Sequence, residues 1–224
     1  ESSGTTPLVV TFDSTTTSGN MIEVTVGFRQ GDPGGTTFGA TDNKSNTYNN
    51  ASVPGTTTAF TRSVAKLYAK NITGGSSHAI TVTPSATLTG NFFVIATEWS
   101  GLDTTAPLDK SANVTDTFST NPSSGSSGTL SQADELVTGG VYVSQTPTVG
   151  SGFTLNTSVG AQTYAEYKVV AATPAVAAAW TAALDSWAAC VATYLIAAAA
   201  SGGFSELVDG GLVNAGLVNG GLAT

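Results

Sequence analysis

The chain has 224 residues, enough for one large β-domain with a core of its own. Charged residues make up 10% of it and the net charge is −8. Its seven basic residues are scattered rather than clustered, which excludes the surface a phosphate backbone demands and disfavours an anionic membrane. One cysteine, Cys190, rules out an internal disulfide and a cysteine metal cluster, and its apolar setting predicts a buried, inert thiol.

The chain opens at Glu1 without a methionine or an apolar leader, which reads as a processed or trimmed start. Leu8 to Phe12 and Met21 to Arg29 are predicted strands, split by a Ser/Thr/Gly loop. In the second, Ile22, Val24, Val26 and Phe28 alternate with Glu23, Thr25 and Gly27, the period of a half-buried strand. Asp42 to Asn50 reads as a polar hairpin region. Thr58 to Ile72 reads as a long strand whose apolar load falls on Phe60, Val64, Leu67 and Tyr68. Ala79 to Thr83 begins the next strand.

Phe92 to Ala96 is an unbroken apolar run bounded by Gly90 and by Ser100-Gly101. It predicts a central strand buried on both faces. Beyond it, Thr97 and Trp99 fall on one side and Glu98 on the other, so the strand is expected to reach a rim at Gly101. Asp103 to Leu130 is a long, weakly patterned connection, uncommon in a compact domain unless it carries short strands or function. Leu136 to Ser144 and Thr163 to Val169 resume strand patterning.

The apolar stretch from Pro174 to Ala200 admits two readings. Thr173-Pro174 and the alanines suit a helix start, and the stretch is long enough to raise a membrane span. Asp185 near its middle opposes a span, and Leu184-Asp185-Ser186 cuts it into two strand-length halves. Two strands, Val176 to Ala182 and Trp187 to Ala197, are favoured. Val191, Thr193 and Leu195 then face one way, and Cys190, Ala192, Tyr194 and Ile196 the other. About ten closely spaced strands predict an all-β fold, a single antiparallel β-sandwich of jelly-roll-like arrangement over residues 1–200.

Residues 201–224 form a glycine/leucine-rich C-terminal tail. Leu207-Val-Asp-Gly-Gly, Leu212-Val-Asn-Ala-Gly and Leu217-Val-Asn-Gly-Gly repeat every five residues and end at Leu222. Five residues match neither a strand's period nor a helix's, and three copies cannot bury their own leucines. Such a tail is either disordered or docked on another subunit; its regular spacing favours docking, with Phe204, Leu207, Leu212, Leu217 and Leu222 as the expected assembly contacts.

Several stretches resemble a β-sandwich module of bacterial surface proteins and phage virion proteins. They are Thr41-Asp-Asn-Lys-Ser-Asn-Thr-Tyr48, Tyr68-Ala-Lys-Asn-Ile-Thr-Gly-Gly75, Glu98-Trp-Ser-Gly-Leu102 with Pro107-Leu-Asp109, Ala133-Asp-Glu-Leu136, and Asp185 to Tyr194. The resemblance spans about residues 5 to 200 and rests on turn and strand signatures. It implies a display, attachment or assembly role in a virion or at a cell surface, with identical subunits or neighbouring virion proteins as partners. It carries no family-wide active site, cofactor or metal.

The residues offer little catalytic chemistry. His78, the one histidine, follows Gly74-Gly75 and is expected in an exposed loop. Gly-x-Ser-x-Gly does not occur. Glu98 and Glu166 are the strand carboxylates that a glycosidase would need to bring together. Asp42, Asn43 and Asn46 offer oxygen ligands to calcium but are also ordinary turn residues. Tyr48 and Trp99 are the candidate glycan contacts of the alternative reading, a carbohydrate-binding or adhesin module, while Trp180 and Trp187 are expected in the core.

Overall fold

The computed structural model describes residues 7–29, 35–53, 62–88 and 90–197. These residues form strands β1 (Leu8–Thr11), β2 (Met21–Arg29), β3 (Phe38–Asp42), β4 (Asn49–Ser52), β5 (Arg62–Ala69), β6 (Ala79–Pro84) and β7 (Phe92–Trp99). The second half adds β8 (Leu108–Ser119), β9 (Glu135–Val143), β10 (Thr148–Val149), β11 (Thr154–Val159), β12 (Thr163–Val170), β13 (Trp180–Thr181) and β14 (Asp185–Leu195). No helix among the described residues is long and apolar enough to cross a membrane.

The strands fall into four antiparallel ladders: a three-stranded sheet β1-β6-β3, a four-stranded sheet β4-β5-β2-β7, a five-stranded sheet β11-β12-β9-β14-β8, and a ribbon β10-β13. The fold is thus all-β with several packed antiparallel sheets. Side-chain alternation sets the layering. Ile22, Val24, Val26 and Phe28 of β2 pack with Val10, Phe12, Phe38, Ile80 and Val82 of the three-stranded layer. The opposite face of β2 meets the five-stranded sheet, where Met21 packs with Leu136, Ala192 and Tyr194. The far face of that sheet carries Val137, Val141, Trp187 and Val191 against Leu130, Val176, Ala178 and Trp180.

This stacking corrects several sequence readings. β2 is buried on both faces rather than half-buried, because a second sheet covers its polar side. β7 is buried almost throughout, yet it lies at the edge of its sheet, and β5 and β2 take the centre. Asp42 to Asn50 is a crossover, not a hairpin: β3 pairs with β6 while β4 pairs with β5 in another sheet. The weakly patterned connection contains β8, twelve residues long, whose partner β14 lies far along the chain. The segment after Pro174 is strand, as favoured, with a first strand shortened to Trp180–Thr181. Cys190 packs with Ala188 and Val64 on one face of β14 and Val191 on the other, as alternation requires.

Close approach of the two larger sheets depends on small residues. A methyl group on Gly140 would lie 2.8 Å from Thr25 Cγ2 and 3.2 Å from Cys190 Sγ. Opposite these positions the inter-sheet space is filled by one buried charge pair. Lys66 Nζ contacts Glu23 Oε1 and donates to Thr25 Oγ1 at 2.9 Å. Thr138 Oγ1 donates to Glu23 Oε2 at 2.6 Å, so the bond links the two sheets.

Candidate functional site

The densest polar constellation gathers around Asp42, where the three-stranded sheet ends. Its Oδ1 accepts the backbone N–H of Lys44 at 2.9 Å and of Asn46 at 3.0 Å. That arrangement closes a side-chain-to-backbone turn in which Ser45 takes φ 63°. Oδ2 accepts Asn46 Nδ2 at 2.8 Å, the Tyr48 hydroxyl at 3.0 Å and His78 Nε2 at 2.8 Å. Burial opposes ionisation of Asp42, but the donors from His78, Asn46 and Lys44 outweigh it and bring the carboxyl down to about 2.

An ionised Asp42 only accepts, so a neutral His78 carries its proton on Nε2 and presents a lone pair at Nδ1. Thr16 Oγ1 lies 2.8 Å from that nitrogen. Hydroxyl, imidazole and carboxylate therefore stand in one relay, the group types of a nucleophilic triad. Thr16 is 3% exposed, and its Oγ1 also accepts Gly75 N–H at 3.1 Å. The relay is closed on itself and ties the loop after β1, the β3–β4 crossover and the turn before β6 to one another. His78 is fully buried, which corrects the expected exposed loop position. The calcium reading of Asp42 fails on the same geometry, since both oxygens are engaged by N–H and O–H donors.

Compared with known proteins, the chain matches no family model, no curated sequence and no solved structure. Its site must therefore be read from its own geometry.

The two glycan candidates face inward. Tyr48 packs its ring against the apolar core and directs its hydroxyl to Asp42. Burial, with the Asp42 carboxylate beside it, pushes its phenol up. Trp99 is 8% exposed and lies 5.2 Å from the Tyr167 ring. The assembly contacts Phe204, Leu207, Leu212, Leu217 and Leu222 lie outside the described residues.

The structure does not bring Glu98 and Glu166 together. Glu98 Oε1 accepts Thr17 N–H at 2.7 Å and Asn20 Nδ2 at 2.6 Å, on the three-stranded side of β7. Glu166 points to the far face of the five-stranded sheet, beside Gly139 and accepting Gly150 N–H at 3.1 Å. Burial pushes it up to about 7 against the Gly150 and Ala179 backbone donors. Two sheet layers separate the carboxylates, whereas paired glycosidase acids sit less than about 10 Å apart. Burial also raises the Cys190 thiol, to about 12, so it stays protonated at neutral pH.

Sequence reading missed the Glu23–Lys66–Thr138 cluster. A signal existed: Lys66 shares strand parity with Val64 and Tyr68, positions assigned to the apolar load, and so points inward.

Proposed function

We propose that the chain is a non-enzymatic structural protein, a jelly-roll-like module of a phage virion of the capsid-decoration or tail-fibre type. In this reading the stacked sheets form the displayed body, and residues 201–224 join identical subunits or neighbouring virion proteins. The observation that carries it is the inward use of reactive groups. Thr16, His78, Asp42, Glu98, Lys66 and Glu23 are bonded to one another or to backbone between layers. Such use serves rigidity, and a charge-poor exterior suits packing against like surfaces. The virion assignment itself rests on the turn signatures described above. The adhesin alternative has weaker support, because Tyr48 and Trp99 pack internally.

Deleting residues 201–224 and measuring solution mass by light scattering tests the proposal. The full chain is expected to form an oligomer, and the truncated chain to fall to monomer mass while remaining folded. An unchanged mass would overturn the assembly role of the tail.

A further inference from the structure

We infer that Glu166 latches the layer covering the far face of the five-stranded sheet, and that this layer opens more readily when the buried carboxyl ionises. The layer is built from residues 120–130, 148–153 and 174–182. Its backbone bonds run within it: Trp180 N–H donates to Pro122 O at 2.8 Å, Ser124 N–H to Ala178 O at 2.9 Å and Ser127 N–H to Val176 O at 2.8 Å. β10 and β13 form a ribbon separate from the sheet beneath. The chain leaves the sheet where β8 ends at Ser119 and rejoins it where β14 begins at Asp185. Leu130, Val176, Ala178 and Trp180 hold the layer down by packing on Val137, Val141, Tyr164 and Val191.

Two side chains of β12 add direct grips, both on the turn from Gly150 to Phe153. Glu166 Oε2 accepts Gly150 N–H at 3.1 Å, and Lys168 Nζ stands 4.2 Å from the centre of the Phe153 ring. The turn itself is tight: Phe153 N–H donates to Gly150 O at 3.0 Å, and a methyl group on Gly150 would lie 2.3 Å from Ala179 O. Beside the latch, Glu166 and Trp180 meet over the bare backbone of Gly139. A methyl group there would lie 2.9 Å from Glu166 Cγ and 3.0 Å from Trp180 Cη2.

Glu166 is 1% exposed, and neither its Oε1 nor Trp180 Nε1 has a hydrogen-bond partner. A neutral carboxyl tolerates that position far better than a carboxylate with one oxygen unbonded in an apolar interior. Water relieves the charged form, and it reaches Oε1 and Trp180 Nε1 when the layer lifts. Few other charges act on the site. Residues 120–130, 148–153 and 174–182 contain no charged residue, and neither does β11. β12 adds Lys168 and the phenols of Tyr164 and Tyr167. β9 carries Tyr142 and also Glu135, which pairs with Val170 four residues along the ladder from Glu166. Asp185 on β14 is held by Arg62, and Lys66 behind the sheet by Glu23. Burial outweighs the Gly150 and Ala179 N–H groups and the Lys168 charge, and pushes the carboxyl up to about 7. In the open layer it returns to the ordinary glutamate range. The preference for the closed layer is therefore complete at acid pH and is lost as pH rises from that range through about 7.

Hydrogen exchange of the full chain, followed by NMR at Gly150 N–H and at the Trp180 indole N–H, tests the latch. Each rate, divided by its intrinsic value, is expected to rise about tenfold per pH unit between the ordinary glutamate range and about 7, then level off. At every pH both groups should exchange faster than the amides of β2, which need global unfolding. Glu166→Gln keeps an acceptor for Gly150 N–H and should abolish the pH dependence. A wild-type chain in which the corrected rates ignore pH, or equal those of β2 throughout, would overturn the latch without recourse to a variant. So would a dependence that survives Glu166→Gln.

Discussion

The two faces of β2 are buried equally and by opposite means. Towards the three-stranded sheet, Ile22, Val24, Val26 and Phe28 meet aromatic and branched side chains, with Phe28 and Phe38 rings 4.8 Å apart, edge to face. Towards the five-stranded sheet, Met21 packs with Leu136 and Tyr194, while Glu23 and Thr25 meet Thr138 and Gly140 around the buried Glu23–Lys66 ion pair. The first face is stabilised by removing apolar area from water, which tolerates moderate changes of shape. The second depends on every partner being present, because desolvating Lys66 and Glu23 costs several kcal/mol per ion, on the order of what their contact returns. An apolar face thus supplies stability, and a polar face can fix which sheet lies against which and in what register.

Substitutions on each face break or sharpen this contrast. Lys66→Met, leaving Glu23 without its cation, is expected to destabilise by about 3–5 kcal/mol in urea unfolding. Adding Glu23→Leu should recover most of that loss; a double variant as unstable as the single would refute the compensation. Phe28→Ala should cost a similar ~3–5 kcal/mol, and here no second substitution across the interface restores the ring's contacts. Gly140→Ala, which drives a methyl group into Thr25 and Cys190, should cost about 1–3 kcal/mol by the same measurement.

The smallest effects are pH slopes. Asp42, brought down to about 2, contributes stability that is complete above the ordinary aspartate range and lost as pH falls towards about 2. Asp42→Asn should remove that acid-side slope in urea midpoints measured from pH 2 to 5. Glu166, raised to about 7, acts in the opposite sense, contributing at acid pH and losing its effect as pH rises through about 7. Glu166→Gln should flatten the alkaline side between pH 5 and 9. A wild-type profile already flat there would contradict the buried position of Glu166.

Strand positions were largely legible, because apolar period and turn residues act locally. β2, β6, β7, β9 and β12 lie where their patterns put them, whereas the break expected at Leu184-Asp185-Ser186 falls earlier, at residues 182–184, because Asp185 and Ser186 pair with β8 and open β14. β8 was not legible: Leu108-Asp-Lys-Ser-Ala-Asn alternates weakly, and the strand forms because β14, about seventy residues later, supplies its ladder. The site was less legible than the fold. His78 follows a Gly-Gly turn and looks solvent-exposed in sequence, yet Thr16 and Asp42, 62 and 36 residues away, enclose it.

By itself, then, the sequence determined that this chain is all-β, places most strand centres, and predicts a buried, inert Cys190, since each follows from a residue and its near neighbours. Tertiary structure alone decided how many layers there are and hence which residues are inside. A strand with one apolar and one polar face reads as half-exposed until a second sheet covers it, and nothing local in Glu23 or Thr25 announces that sheet. The same holds for Asp109 and Glu135. They are ordinary surface-type residues in sequence and are buried where β8 and β9 both pair with β14.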